Sequence, residues 1–596
     1  MSFALRWASC LPKLQAGSVS AYRPAAHSFT SPRAFRNSST MTFPPSQKRP
    51  LARRLLKPLS ITASTALVGT VLYYNHEPSR HFMCAIERCG RAGLVGVRVA
   101  INYKLMLSKT YKDSEEEARA KSNCHTRSAN LVLKALQKSG GIYIKLGQHV
   151  SAMVYILPPE WTSTMAILQD KCPPTPYQEI EELFQHDMGT SLDDLFSEFD
   201  PVPIGVASLA QVHRARLRST GQEVAVKMQH PFLDEFCKID MDTVSFILST
   251  IKRVFPEFGF EWLSEEMNES LPQELNFVFE ANNANQVREN FKELMEKKKT
   301  ALIIPKIVWA HRRILCMEFI RGQRIDNLAY MEEHNIDSNR VSIELTRIFS
   351  EMIYNHGFVH CDPHPGNVLI RPAKKSRFGT GVNFEIVLLD HGLYRTLDDQ
   401  LRTDYAHLWT SLIRGNEEDI KKYSLRVGGT SAHRLFASVM TGRSWDTVNT
   451  QDLSTERSQT ELEKMTEGAF ELLIDIAGLL ANMPRIVLLL LKTNDLLRSV
   501  DEVLRTDLDY HMTYVVMGRY CAKAVWDDIR STLLHKIHHY GLSLKLAKEL
   551  ISAWYEFESL EIMLWLYQTK SLWTDRIKHF KASTVLPSNH TYQQTL

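Results

Sequence analysis

Asp362, Asn367 and Asp390 are the side chains whose types and spacing best suit a shared chemistry. Asp362 and Asn367 stand five residues apart on the loop Gly357-Phe358-Val359-His360-Cys361-Asp362-Pro363-His364-Pro365-Gly366-Asn367, which Pro and Gly make tight. The run Glu385-Ile386-Val387-Leu388-Leu389 reads as a buried strand and delivers Asp390 just before His391-Gly392. An acid that orients an attacking oxygen, with an amide and a second acid that hold Mg2+, are the parts of a phosphoryl-transfer site. His360 and His364 have the spacing of a zinc pair, but Pro363 and Pro365 forbid the helix such a pair would need. They are expected to brace the loop by hydrogen bonds.

Such a site needs elements that hold a nucleotide. Glu223-Val224-Ala225-Val226-Lys227-Met228 alternates as a strand and carries the V-A-x-K pattern whose lysine meets the ATP phosphates in protein kinases. Upstream, Gly205, Ala207 and Ala210 fall where the glycines of a G-x-G-x-x-G phosphate loop would stand, with Ser208 among them. Alanine adds a methyl and disfavours positive φ. The expectation is a nucleotide bound with altered phosphate placement and poor ordinary protein-kinase activity. Glu280 is the first choice to pair with Lys227 and Glu274 the second, both on a helix expected after the strand. Ile303-Ile304-Pro305 and Ile314–Ile320 read as strands, and the backbone of Glu318 to Ile320 is expected to meet an adenine ring.

Before this lobe, residues 80–135 are helical in pattern. Gly140–Gln148 follows, with Lys145 and Gln148 on one helix face, then Leu157-Pro158-Pro159-Glu160 and a Pro-marked exit at Pro173-Pro174. On pattern alone Lys145 reads as a solvated side chain. Ser342–His356 reads as a helix leading into the Asp362 loop. After Asp390 there is no A-P-E sequence, and the chain runs straight into helical pattern at Asp398–Ile413, leaving no room for a peptide platform. Helices are expected at Phe470–Ala481, Ile486–Ser499, Met512–Ser531 and Ala547–Lys570, with Trp554, Trp565 and Trp573 read as core.

The 596 residues allow two or more domains, and 44% apolar with 23% charged residues is the composition of a folded protein. Residues 1–76 hold ten Lys or Arg and no acid; setting those ten against the net +4 leaves −6 for the rest. The body has no basic stripe, so no nucleic-acid partner is expected. Nine scattered cysteines without a C-x-x-C pair point to free thiols. Residues 1–42, rich in Arg, Ser and Ala, read as a mitochondrial transit peptide, with a disordered tail as the alternative. Leu59–Tyr74 is uncharged, with Arg53, Arg54 and Lys57 before it and Tyr73-Tyr74 at its end. It is read as a single membrane span, although shorter than the ~20 residues that span comfortably. The tail of the targeting signal, or a helix lying on the domain, is the alternative.

Taken together, K-x-G-Q at 145–148, L-P-P-E at 157–160, L-Q-D-x-x-P-P at 168–174, A-S-L-A-Q-V-H at 207–213, V-A-V-K at 224–227, E-x-N-F-x-x-E-A at 274–281 and D-P-H-P-G-N at 362–367 resemble the UbiB, or aarF-domain-containing, family of atypical kinases. The resemblance runs through residues 130–400. It implies an α+β, protein-kinase-like two-lobed fold with a helical extension at 80–174, an N-lobe at 195–320, and a C-lobe with C-terminal helices at 321–580. It implies ATP and Mg2+ as cofactors, with Asp362, Lys227 and Glu280 catalytic. Asn367 and Asp390 would hold metal, and Gly205, Ala207, Ser208, Ala210, Glu318 and Ile320 would line the nucleotide. Lys145, Gln148 and Glu274 become regulatory: in the family the K-x-G-Q helix folds over the site and occludes a peptide. Two departures, Gly205-Val206-Ala207-Ser208 for an A-A-A-S-type loop and Asn276 for Asp in E-x-D, resemble the mitochondrial lipid-homeostasis branch, and the second is expected to loosen closure by Lys145. The resemblance further implies a mitochondrial membrane location, read as the inner membrane; the positive charges before Leu59–Tyr74 would put the folded part across it from the matrix, facing the intermembrane space. Membrane lipids and enzymes of lipid or quinone metabolism are the implied partners.

Overall fold

The computed structural model describes residues 77–151, 157–170, 172, 174–231, 233–255, 261–373, 382–449, 479, 483–504 and 512–584. The transit-peptide and membrane-span readings, and nearly all of the helix expected at Phe470–Ala481, lie outside them. Among the described residues no helix is long and apolar enough to cross a membrane, and all cysteines are free.

Four helices form the extension: α1 (Glu77–Leu107), α2 (Ser114–Ser139), α3 (Ile142–Ser151) and α4 (Pro159–Asp170). Asp113 caps α2 by accepting the Glu116 N–H at 2.6 Å, and three glutamates sit in its first turn, where the helix dipole favours them. α2 ends at Gly140, and both Gly140 and Gly141 have positive φ, which turns the chain sharply into α3. The glycine of K-x-G-Q has a packing cause. A Cβ on Gly147 would overlap the buried Leu168 of α4 and crowd Leu136 of α2. Only glycine lets α3 lie this close.

After α5 (Tyr177–Met188) comes an antiparallel sheet in the order β1-β3-β4-β7-β6, with β2 paired to β3. Its strands are β1 (Phe196–Phe199), β2 (Gly205–Val206), β3 (Ala210–Leu217), β4 (Glu223–Gln229), β6 (Ile307–Ala310) and β7 (Ile314–Glu318). The two-residue period of β4 sorts its side chains. Val224, Val226 and Met228 face the core with Ile180 and Phe184 of α5. Ala225 and Lys227 alternate to the other face, where Phe277 and Ala281 pack on Ala210 and Leu315.

Between β4 and β6 lie three long helices, α6 (Leu233–Val254), α7 (Glu261–Glu274) and α8 (Phe277–Asn290). The single helix expected for Glu274 and Glu280 is therefore two. The break falls at Leu275-Asn276, where the Asn276 side chain caps α8 by accepting the Val278 N–H at 3.2 Å.

The second lobe has a four-stranded sheet in the order β5-β11-β10-β8: β5 (Leu302–Ile303), β8 (Gln323–Arg324), β10 (Val368–Pro372) and β11 (Phe384–Leu388). Here the strand expected at Ile303 is corrected. It belongs to this lobe, parallel to β11, while β6 is the partner of β7. Every β11 side chain is buried, as the apolar run predicted. A two-stranded ladder of β9 (Phe358–His360) and β12 (Tyr394–Thr396) brackets the site. α9 (Ser338–Ser350) leads through a widened turn, Glu351–His356, into β9.

The C-terminal part holds α10 (Asp399–Arg414), α11 (Arg485–Leu504), α12 (Met512–Tyr540) and α13 (Leu544–Thr584). Trp554 and Trp565, expected in the core, are half exposed. α13 buries Leu560 and Leu564 against Val515 and Ala522 of α12, and both tryptophans lie off that seam. The side chain of Trp573 lies outside the described residues.

Candidate active site

β4 presents Lys227 between the lobes. Its Nζ donates to Glu280 Oε1 and Oε2 at 2.8 and 2.9 Å, and reaches Asp390 Oδ2 at 3.4 Å. The ammonium also lies 5.2 Å from the centre of the Phe277 ring, a favourable place for a cation. Burial opposes a charge on Lys227, but Asp390 and Glu280 outweigh it and hold the lysine above its ordinary pKa. α8 fixes the end of β11 as well: Asn283 donates to His391 O at 2.9 Å, and the His391 N–H meets Glu280 Oε1 at 3.4 Å.

Asp390 Oδ1 accepts the Gly392 N–H at 2.8 Å. Burial would raise its pKa, but Lys227 and that N–H hold it well below the usual carboxylate range. His391 is buried between Tyr394 Oη and Leu388 O, and burial drives its pKa down to about 3. It stays neutral and anchors the turn.

The Asp362 loop is built on itself. His360 Nδ1 accepts the Asp362 N–H at 2.9 Å, so its Nε2 donates to Asp390 O at 2.8 Å. His364 Nδ1 accepts the Gly366 N–H at 3.0 Å. Both histidines brace backbone. Asn367 Nδ2 donates to Asp362 O at 3.1 Å, which leaves its amide oxygen as the atom to offer a cation.

The family resemblance set Lys145 against the E-x-N stretch at 274–276. In the structure its Nζ lies 2.7 Å from Glu274 Oε2. Burial opposes the charge; Glu274 and Asp362 overcome it and raise the pKa above the lysine norm. Gln148 sits one turn on. It donates to Leu168 O at 3.0 Å and accepts the Ser208 hydroxyl at 3.2 Å. The extension helix therefore grips the 205–210 loop directly. That loop is a short ladder with a tight turn, Ala207 N–H to Ala210 O at 2.8 Å, and His230 Nε2 bonds Ala207 O at 3.0 Å. Gly205, Ala207 and Ala210 all have negative φ, so the alanines cost the loop nothing in this conformation. The Asn276 side chain caps α8.

Glu318 and Ile320 stand at the end of β7. The Glu318 N–H donates to Lys306 O at 2.8 Å and the Phe319 N–H to Glu223 O at 3.3 Å. Ile320 is buried.

Two residues of the site escaped the sequence reading. Lys492 of α11 donates to Asp362 Oδ1 at 2.9 Å, across 130 residues of chain. Burial favours the neutral acid, yet Lys492 and Lys145 keep Asp362 ionised far below the carboxylate norm. Lys492 ends the run Leu488-Leu489-Leu490-Leu491, and a lone cation after four leucines was the available signal. His149, four residues after Lys145, is buried, with no hydrogen-bond partner at Nε2. Burial and the charges of Lys492 and Lys145 lower its pKa well below normal, so it is neutral.

A strand lysine paired with a helix glutamate, a loop Asp with an Asn five residues on, and a strand-end Asp define a protein-kinase-like protein. The ABC1 atypical kinase-like domain matches residues 167–424. The chain is 42% identical over 482 residues to the ABC1 family protein MCP2 homolog of Schizosaccharomyces pombe, covering 80% of this chain and 86% of that protein. It is 40% identical over 541 residues to ABC1 family protein MCP2 of Saccharomyces cerevisiae, covering 88% and 94%. It is 40% identical over 478 residues to AarF domain-containing protein kinase 1 of Mus musculus, covering 80% and 89%. The chain belongs to the ABC1/AarF family of atypical kinases.

Proposed function

We propose that this chain is a Mg2+-ATP-dependent atypical kinase or ATPase of the mitochondrial inner membrane that supports mitochondrial lipid homeostasis, in phospholipid or coenzyme Q metabolism. The observation that carries the ATP reading is the buried Lys227 ammonium held between Glu280 and Asp390. A lysine fixed there offers a charge to phosphate oxygens without having to be ordered first. Asp390 and Asn367 supply hard oxygen donors that fit Mg2+. No group of three His, Cys, Asp or Glu that could hold a metal occurs among the described residues. One carboxylate and one amide oxygen fit an ion that completes its shell with phosphate oxygens and water, as Mg2+ does. Bound there, Mg2+ would neutralise charge on the β- and γ-phosphates. Asp362, held ionised, orients the attacking oxygen and accepts its proton.

The relatives named as AarF domain-containing protein kinase 1 support the kinase class. The acid-free, Arg-rich first 76 residues support the mitochondrial membrane reading. Hydrolysis of ATP by the purified protein, with and without vesicles of mitochondrial lipid, tests it. Turnover that rises with vesicles is expected; no Mg2+-dependent binding or turnover would contradict it.

A second reading is an ATP-regulated scaffold that needs no turnover. It is favoured by the ion pair Lys492–Asp362, which occupies Asp362 Oδ1, and by Lys145–Glu274, which ties the extension helix α3 to α7. Rescue of a deletion phenotype by Asp362→Asn would select it.

A further inference from the structure

We propose that Lys492 is a catalytic residue whose ammonium bridges Asp362 and the γ-phosphate of ATP. This rests on the Mg2+-ATP reading above. The transferred phosphoryl group spreads negative charge over its three equatorial oxygens, and a site that transfers it needs fixed cations around them. The loop from Asp362 to Asn367 contains no Lys or Arg. Its His364 turns Nδ1 inward to the Gly366 N–H. Of the site's other lysines, Lys227, between Glu280 and Asp390, has the place of the kinase lysine that meets the α- and β-phosphates, and Lys145 is taken by Glu274 at 2.7 Å. Lys492 donates a hydrogen bond to Asp362 itself, at 2.9 Å.

It is also rigidly presented. Val487, Leu489, Leu490 and Leu491 of α11 share one core with Val359 and Cys361 of the Asp362 loop and with Tyr405 and Trp409 of α10. Asn494, half a turn on, donates to Tyr405 Oη at 2.5 Å. A stem set in that core carries its charge to one place, and positions it without a mobile loop. Lysine, with three donors and no acceptor, can keep Asp362 Oδ1 and still donate to a phosphate oxygen.

With water as acceptor the step balances. The bond from γ-phosphorus to the bridging oxygen breaks, and its electron pair leaves with ADP. The bond from phosphorus to the water oxygen forms, and the water proton passes to the Asp362 carboxylate and then to solvent. Lys492 exchanges no proton; it stabilises the charge on the phosphoryl oxygens.

The test compares affinities for the β,γ-imido analogue of ATP and for ADP, each with Mg2+, in wild type, Lys492→Gln and Lys492→Arg. A contact to the γ-phosphate predicts that Lys492→Gln loses affinity for the analogue about tenfold or more, keeps its ADP affinity, and is partly restored as Arg. A purely structural lysine would weaken both nucleotides alike. Should Lys492→Gln fail to fold, Asp362→Asn is compared with Asp362→Asn/Lys492→Met, which leaves no unpaired acid. An analogue-to-ADP ratio unchanged on removing Lys492 overturns the proposal and leaves the ATP reading standing. Wild type that binds neither nucleotide overturns both.

Discussion

The two halves of the site are assembled differently. The nucleotide half is Lys227, Glu280 and Asp390, set by β4, α8 and the end of β11. The Asp362 half receives Lys145 and His149 from the extension helix α3, and Lys492 from α11. The first has the parts of any kinase-like site. The second takes its charges from elements outside the loop that carries the acid. The lysine that grips the nucleotide and the acid that directs transfer are thereby given to separate pieces of chain, with Lys492 joining the acid to the γ-phosphate, and mutations should separate Lys227 from Asp362.

The largest effect is expected at Asp362. Asp362→Asn should lower ATP turnover about 10²–10⁴-fold, the range of a lost acid–base residue, while Mg2+-ATP affinity stays within about threefold. Steady-state hydrolysis and equilibrium titration measure the two. Equal losses in both would erase the distinction between the halves.

The next contrast is Glu280→Ala against Glu274→Ala. Each removes the nearest acid of a buried lysine; losing such a partner costs up to about 3–5 kcal/mol, less for Lys227, which keeps Asp390, and is read from urea unfolding. Nucleotide affinity should fall only in Glu280→Ala. A loss in both variants would place Lys145 in the nucleotide half.

Gly147→Ala probes how α3 is seated. The added methyl must displace Leu168 or Leu136 in a filled core, at a cost of about 1–3 kcal/mol. Because α3 carries Lys145, Gln148 and His149, the same change should loosen the Asp362 half first. Hydrogen exchange at residues 142–151 would show it.

The smallest effect concerns pH. Lys145 has a folded pKa above its ordinary value near 10.4. A raised lysine contributes stability that is fully present below the unfolded pKa and lost only as pH climbs through the folded one. The stability difference between wild type and Lys145→Met should therefore be flat between about pH 6 and 9. A slope in that window would mean that another group titrates against Lys145.

The contrast between the halves also governs what the sequence revealed. Lys227, Glu280, Asn367 and Asp390 were legible because strand period and loop spacing are local patterns, and a short pattern places each residue. Lys145 needed a family likeness, since its partner Glu274 lies beyond four strands and the helices α4, α5 and α6. Lys492 and His149 were missed because their roles exist only after α11 and α3 pack against the Asp362 loop. The lone lysine in a leucine run was a sign of burial, not of its partner. The strand at Ile303 was misassigned for a related reason. Two residues of apolar pattern cannot say which sheet will take them, and pairing with β11 decides it. The tryptophans of α13 were misjudged because aromatic content does not tell which face of a long helix finds a neighbour.

The claim on which all of this depends is that Lys227, held by Glu280 and Asp390, is a phosphate-binding lysine. Titration of ATP into wild-type protein and Lys227→Met, with Mg2+ present, tests it most directly. The structure predicts saturable, Mg2+-dependent binding to wild type and a loss of at least tenfold in Lys227→Met. Equal affinity in the two proteins would contradict it.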